Sequence, residues 1–164
     1  MTTTTRRVVL AASIMLTIGL TAGVEARPKA RVFAAALEGF AGPMPTADPC
    51  ILANNEHGTG HALHMGAITW VSNETVNLCS NPEGGDVEGQ LTITAANGDE
   101  VFFTYETLAQ FDFTTNVVTA VGQWQIAGGT GRFAGASGRG AIAARGNLLP
   151  PFEVIAGMAG VIAY

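Results

Sequence analysis

Residues Ile126–Gly140 read IAGGTGRFAGASGRG, and two folds compete for them. Gly129, Gly131 and Ala134 satisfy G-x-G-x-x-G/A, the spacing of a dinucleotide-binding loop. Such a loop works only where its glycines turn a strand into a helix whose N-terminus holds the pyrophosphate, with an acidic residue about twenty positions on. A strand-like segment does precede the run. After it, Gly135, Gly138 and Gly140 would each weaken a helix by about 1 kcal/mol relative to alanine. No helix of useful length fits before Pro150, and the next acidic residue is Glu153. No Gly-Lys-Ser/Thr occurs either, which removes the Walker loop. The run therefore reads as architecture. Gly128, Gly129, Gly131, Gly135 and Gly138 form a structural glycine loop that relieves crowding at turns and barrel corners. Phe133, amid small residues, is placed to cap one end of a barrel.

Outward from this run, the strongest local signal is GQLTITAANGDEVFFTYETL, Gly89–Leu108. Leu91-Thr92-Ile93-Thr94 alternates with period two, and Val101, Phe103 and Tyr105 alternate with Phe102, Thr104 and Glu106. Asn97-Gly98 between them supplies the positive φ angles of a tight hairpin. VVTAVGQWQIA (Val117–Ala127) is the next strand, with Gly122 read as a bulge or a site of close approach. GRGAIAARGNL and FEVIAGMAGVIAY are the last two. GTGHALHMGAITWVS (Gly58–Ser72) reads as one long strand, and Lys29–Phe40 as a first strand, although its alanines also suit a helix. AGPMPTADPC (Ala41–Cys50) reads as a loop, because prolines cannot donate to a ladder. Short strands, frequent turns and almost no helix predict an all-β barrel or sandwich.

The chain has 164 residues. MTTTTRR followed by an apolar run and VEA predicts a signal peptide over 1–26, cleaved after Ala26. A membrane anchor and a twin-arginine signal are the weaker readings of the same stretch. Residues 27–164 are one domain's worth of chain. Cleavage removes Arg6, Arg7 and Glu25, taking the formal charge from −5 to −6. An acidic chain with one lysine, Lys29, and scattered arginines argues against nucleic acid and against a membrane partner after cleavage. Cys50 and Cys79, an even pair in an exported chain, predict one disulfide; two free thiols or a catalytic cysteine compete with it.

IAGGTGRFAGASGRG resembles the late motif of the allene oxide cyclase-like and dirigent-like β-barrels, above all that of small secreted bacterial proteins placed beside them. GHALHMG resembles that group's early strand, with Leu63 and Met65 as departures. LTITAANGDEVFFTY resembles its central hairpin, and GMAGVIAY its final strand. Together these cover most of Gly58–Tyr164. The resemblance implies an eight-stranded antiparallel barrel, and a homo-oligomer, since the plant members are often dimers or trimers. Those members guide cyclisation or coupling of a reactive intermediate in an apolar cavity. For the bacterial look-alikes no general activity is implied, and the plant cyclase's catalytic residues do not map onto this chain.

Side chains that could carry chemistry are few. Glu56, His57, His61 and His64 are the densest group of ligand types, but strand alternation splits His61 from His64 and the surrounding glycines oppose a helix. No metal and no cofactor is therefore expected. His64 falls on the resembling strand motif, on a face with Ala62, Gly66, Ile68 and Trp70. It is a candidate proton carrier or a hydrogen-bonded structural residue. Glu106, among Phe102 and Thr104, would be a general base if its face were internal and merely solvated if external. His64, Phe103, Tyr105 and Trp124 are the candidate ligand-cavity residues. Asn73-Glu74-Thr75 fits a glycosylation acceptor, discounted because the export signal looks bacterial. Three functions stay open: a barrel that binds a small apolar molecule, a filled scaffold for interactions, and a cyclase or isomerase type of enzyme.

Overall fold

The computed structural model describes residues 29–81 and 83–164; the signal peptide expected over 1–26 lies outside them. Eight strands run in chain order: β1 Ala30–Pro45, β2 Ile51–Ala62, β3 Gly66–Asn77, β4 Gly84–Ala95, β5 Glu100–Asp112, β6 Val117–Gly129, β7 Ser137–Asn147 and β8 Glu153–Ala163. Each pairs antiparallel with the next, and β8 returns to β1, closing an eight-stranded barrel. One 3-10 turn, Gly131–Phe133, interrupts the β6–β7 connection.

Period two assigns one face of every strand to the interior. The half of the barrel that holds the start of β1 and the end of β8 is filled. Phe33, Phe103 and Trp124 pack there with ring centroids 5.4–5.7 Å apart, and the Trp124 indole donates to the Ala141 carbonyl at 2.9 Å. Burying each such ring stabilises the fold by about 1.5–3 kcal/mol. Phe133 is fully buried and plugs this end, edge-on to Tyr164 at 4.8 Å.

The glycine run builds that plug. Gly131 has φ +55°, and a Cβ there would strike the Asp99 carboxylate. Asp99 in turn pairs with Arg132 at 3.5 Å, and the Arg132 guanidinium donates to the His64 carbonyl at 2.7 Å. A Cβ at Gly140 would run into the Trp124 ring. Small residues here make room for one large one.

Two sequence expectations need correction, and at Gly122 one of two alternatives is decided. Gly58–Ser72 is not one strand: β2 ends at Ala62 and β3 begins at Gly66. Positive φ at His64 (69°) and Gly66 (75°) reverses the chain, and the alternation breaks at His64, exposed where an inward residue was due. Ala41–Cys50 is not all loop, since β1 runs on to Pro45. Its pairing with β8 stops at Phe40–Glu153, while pairing with β2 continues to Pro45–Leu52. The Ala41 N–H donates to Phe152 on the β8 side. By alternation Pro43 and Pro45 face that same side, where β8 has ended and no donor is needed. Finally, the register shift in β6 falls opposite Phe102/Phe103, between Ile126 and Gly128, rather than at Gly122. Gly122 is a site of close approach, its missing Cβ replaced by the Glu106 carbonyl.

Cys50 and Cys79 form a disulfide that joins the β1–β2 and β3–β4 connections. It sits at the end opposite the Phe133 plug. The bond closes a loop with a sequence separation of 29, which in the chain-entropy account stabilises the fold by about 3–4 kcal/mol. Replacing both cysteines by serine should lower the unfolding free energy by that amount in a denaturant titration; an unchanged midpoint would show that the bridge constrains nothing.

Candidate functional site

The other half of the barrel is hollow. A cavity of about 260 Å³ opens at the disulfide-bearing end. Leu37, Trp70, Leu91 and Ile142 line it within the barrel, and Phe111 and Val118 lie among its apolar walls nearer the mouth. The cavity exists because the inward side chains of this half are small: Ala109, Ala120, Ala144 and Ala156 stand where the filled half carries rings.

One polar cluster interrupts the apolar wall. Register puts Asn54 opposite Glu74, Glu74 opposite Gly89 and Gly89 opposite Tyr105, in one transverse row. Gly89 has no side chain, and a Cβ there would collide with the Tyr105 ring. The ring can therefore lie across β4, and the Tyr105 hydroxyl donates to Glu74 Oε2 at 2.5 Å. Ser72 Oγ lies 2.7 Å from the same phenol oxygen and donates to the Gln90 carbonyl at 3.1 Å. Asn54 Nδ2 donates to Glu74 Oε1 at 2.8 Å and to Glu56 Oε1 at 3.1 Å. Two carboxylates thus share one amide. Asn54 Oδ1 is buried with no partner.

The electrostatics follow from burial. Desolvation, then the negative charge of Glu74, raises the Glu56 carboxyl from 4.5 to about 8, against the opposing Asn54 hydrogen bond. The Tyr105 phenol is pushed far above its usual range, first by burial, then by the charge of Glu74 and its hydrogen bond to it. Near neutrality the site holds a protonated Glu56 beside a phenol that donates to Glu74.

The residues singled out in the sequence are distributed unevenly around this site. Tyr105 faces the cavity within the polar cluster. Phe103 and Trp124 are inside the barrel but in its filled half. His64 is exposed in the β2–β3 turn at the plugged end, its Nε2 2.8 Å from the Val32 carbonyl. Glu106 lies on the exposed outer face of β5, opposite Glu88 and Gln123. His57 and His61 point outward from β2. Gly128, Gly129, Gly131, Gly135 and Gly138 surround the Phe133 turn.

Asn54, Glu56, Ser72 and Glu74 as a group escaped the sequence reading, yet a signal existed. Ile68 and Trp70 mark the inner face of β3, and period two carries that face to Ser72, Glu74 and Val76. The tripeptide Asn73-Glu74-Thr75 drew attention to the outward residue instead.

Neither a protein-family model nor a curated protein matches the chain. What fold and site define together is a closed antiparallel barrel, plugged at one end and hollow at the other, with paired carboxylates in an apolar chamber.

The raised Glu56 carboxyl fixes a sign. Below pH 4.5 it is neutral in both the folded and the unfolded chain and costs nothing. Between 4.5 and about 8 the unfolded chain loses a proton that the folded chain keeps, so stability falls as pH rises. Glu56→Gln removes that loss, and above the window the variant should exceed the natural chain by on the order of 5 kcal/mol. Paired denaturant titrations across the window check this; parallel curves would contradict it.

Proposed function

We propose that this protein is an exported, single-domain β-barrel that binds a small, mostly apolar molecule in its hollow half. The observation that carries the reading is the cavity: an apolar chamber with one concentrated polar cluster, the usual composition of a small-molecule site. A filled scaffold would have no use for carboxylates held in such a wall, where each costs desolvation energy.

Export belongs to the same proposal. A disulfide between Cys50 and Cys79 suits an oxidising, extracytoplasmic compartment, and the leader-like first 26 residues give the route. Kinship with the allene oxide cyclase-like and dirigent-like barrels is proposed on the four motifs and on the strand count. Self-association is proposed with it, since Val32, Val121, Ile155 and Val161 stand exposed on the outer faces of β1, β6 and β8.

One observation favours a second reading. Glu56, raised to about 8, can give or take a proton near neutrality, which is what an isomerase or cyclase would need of a cavity acid.

Binding is tested with n-octanol, a neutral molecule with an apolar body. It should raise the melting temperature of residues 27–164 and quench Trp70 emission. Ala144→Trp, which fills the cavity from β7, should abolish both effects while keeping the barrel's circular dichroism. An n-octanol response that survives the filled cavity, or no response in the natural chain, would sink the proposal.

A further inference from the structure

The donors and acceptors of the polar cluster do not balance. Both hydrogens of Asn54 Nδ2 go to carboxylates, and the Tyr105 hydroxyl gives its hydrogen to Glu74. Ser72 gives its hydrogen to the Gln90 carbonyl. Once Glu56 ionises, every donor is committed. What remains is acceptor capacity: the second oxygen of Glu56 and the Oδ1 of Asn54, which is buried, without a partner, on a residue only 8% exposed. An orphaned buried acceptor forfeits the hydrogen bond it had in water, so this one points to a group absent from the free protein.

Charge agrees with this count. Glu56 faces Glu74 on β3 and Tyr105 on β5, and Glu153 lies farther out along the lining. The basic residue among the described lining residues is Arg145, which sits at an outward, exposed position of β7. No cation is hydrogen-bonded or ion-paired to either glutamate among the described residues. The only ways to place two carboxylates here are to protonate one or to bring in a positive charge.

We propose that the ligand is an amphipathic amine, its ammonium group seated among Glu56, Glu74 and Asn54 and its apolar body lying against Leu52, Phe111 and Val118 toward the mouth. This rests on the small-molecule reading above and adds the chemistry of the ligand's polar end. An ammonium group has three donors and no acceptor, the complement of what the cluster lacks. Its charge compensates the two carboxylates inside a low-dielectric wall. An inorganic cation would satisfy the oxygens but leave the apolar chamber above them unused. Binding has a proton balance: R–NH3+ meets a protonated Glu56, the carboxyl ionises against the ammonium, and one proton leaves to solvent.

Calorimetry on residues 27–164 with n-octylamine, n-octanol and octanoate tests this. At neutral pH, in two buffers of different ionisation enthalpy, n-octylamine should bind about tenfold or more tighter than n-octanol and release close to one proton. Octanoate should bind weakest. Glu74→Gln and Glu56→Gln should each cut amine affinity about tenfold or more, a larger loss than either causes for n-octanol, and Glu56→Gln should abolish proton release. Equal binding of amine and alcohol would overturn the amine and leave the apolar site standing. Tighter octanoate, or amine binding without proton release, would overturn it as well. So would competition by calcium or magnesium chloride alone, which would make the cluster a site for inorganic cations. Failure of all three probes, n-octanol included, would remove the binding reading itself and the amine with it.

Discussion

Everything inside this protein depends on the pairing of β1 with β8. From Ala30–Ala163 to Phe40–Glu153 the first strand is hydrogen-bonded to the last, and that seam turns a sheet with two edges into a barrel with none. Closure has two consequences. It makes one face of every strand an interior, so side-chain size along each strand decides whether a given level is solid or hollow. It also fixes register all the way round, which is how residues as distant in sequence as Asn54 and Tyr105 come to share one transverse row.

The two halves of the interior follow from that rule. At one end Phe33, Phe103, Trp124 and Phe133 fill the tube, and glycines supply the room those rings need. At the other end alanines replace rings and a chamber is left. The disulfide and the proline-bearing overhang of β1 sit at the open end. There the β1–β8 ladder is incomplete, and the covalent tie lies beside the fully paired ends of β2 and β3. The polar cluster lies where solid gives way to hollow, close enough to the apolar filling to be desolvated and open enough to be reached by a ligand.

Much of the barrel was legible in the sequence because period two and turn chemistry are local. Asn97-Gly98 between alternating runs located the β4–β5 hairpin, and the absence of any helix after the glycine run removed the nucleotide fold. Failures came where local signals were overruled. Prolines at 43 and 45 read as loop, since nothing in sequence says that β8 stops short of them. His64 read as a strand residue, because a turn carried by positive φ at a histidine leaves no local signature. The site was harder still. Tyr105 stood out as an aromatic on an inner face, but its partner Glu74 lies two strands away, across a glycine. Only register brings them together, and register is a property of the closed barrel.

A ligand site in this barrel requires Glu56 to be buried against Glu74 in a dry chamber. Carbon-13 detection of the glutamate side-chain carboxyls in the ligand-free protein, followed through a pH titration, measures this directly. One resonance should titrate at about 8 and vanish in Glu56→Gln. If every glutamate titrates near 4.5, the ordinary value, the chamber is wet and its carboxylates are unremarkable, and the reading of this barrel as a ligand site fails at its centre.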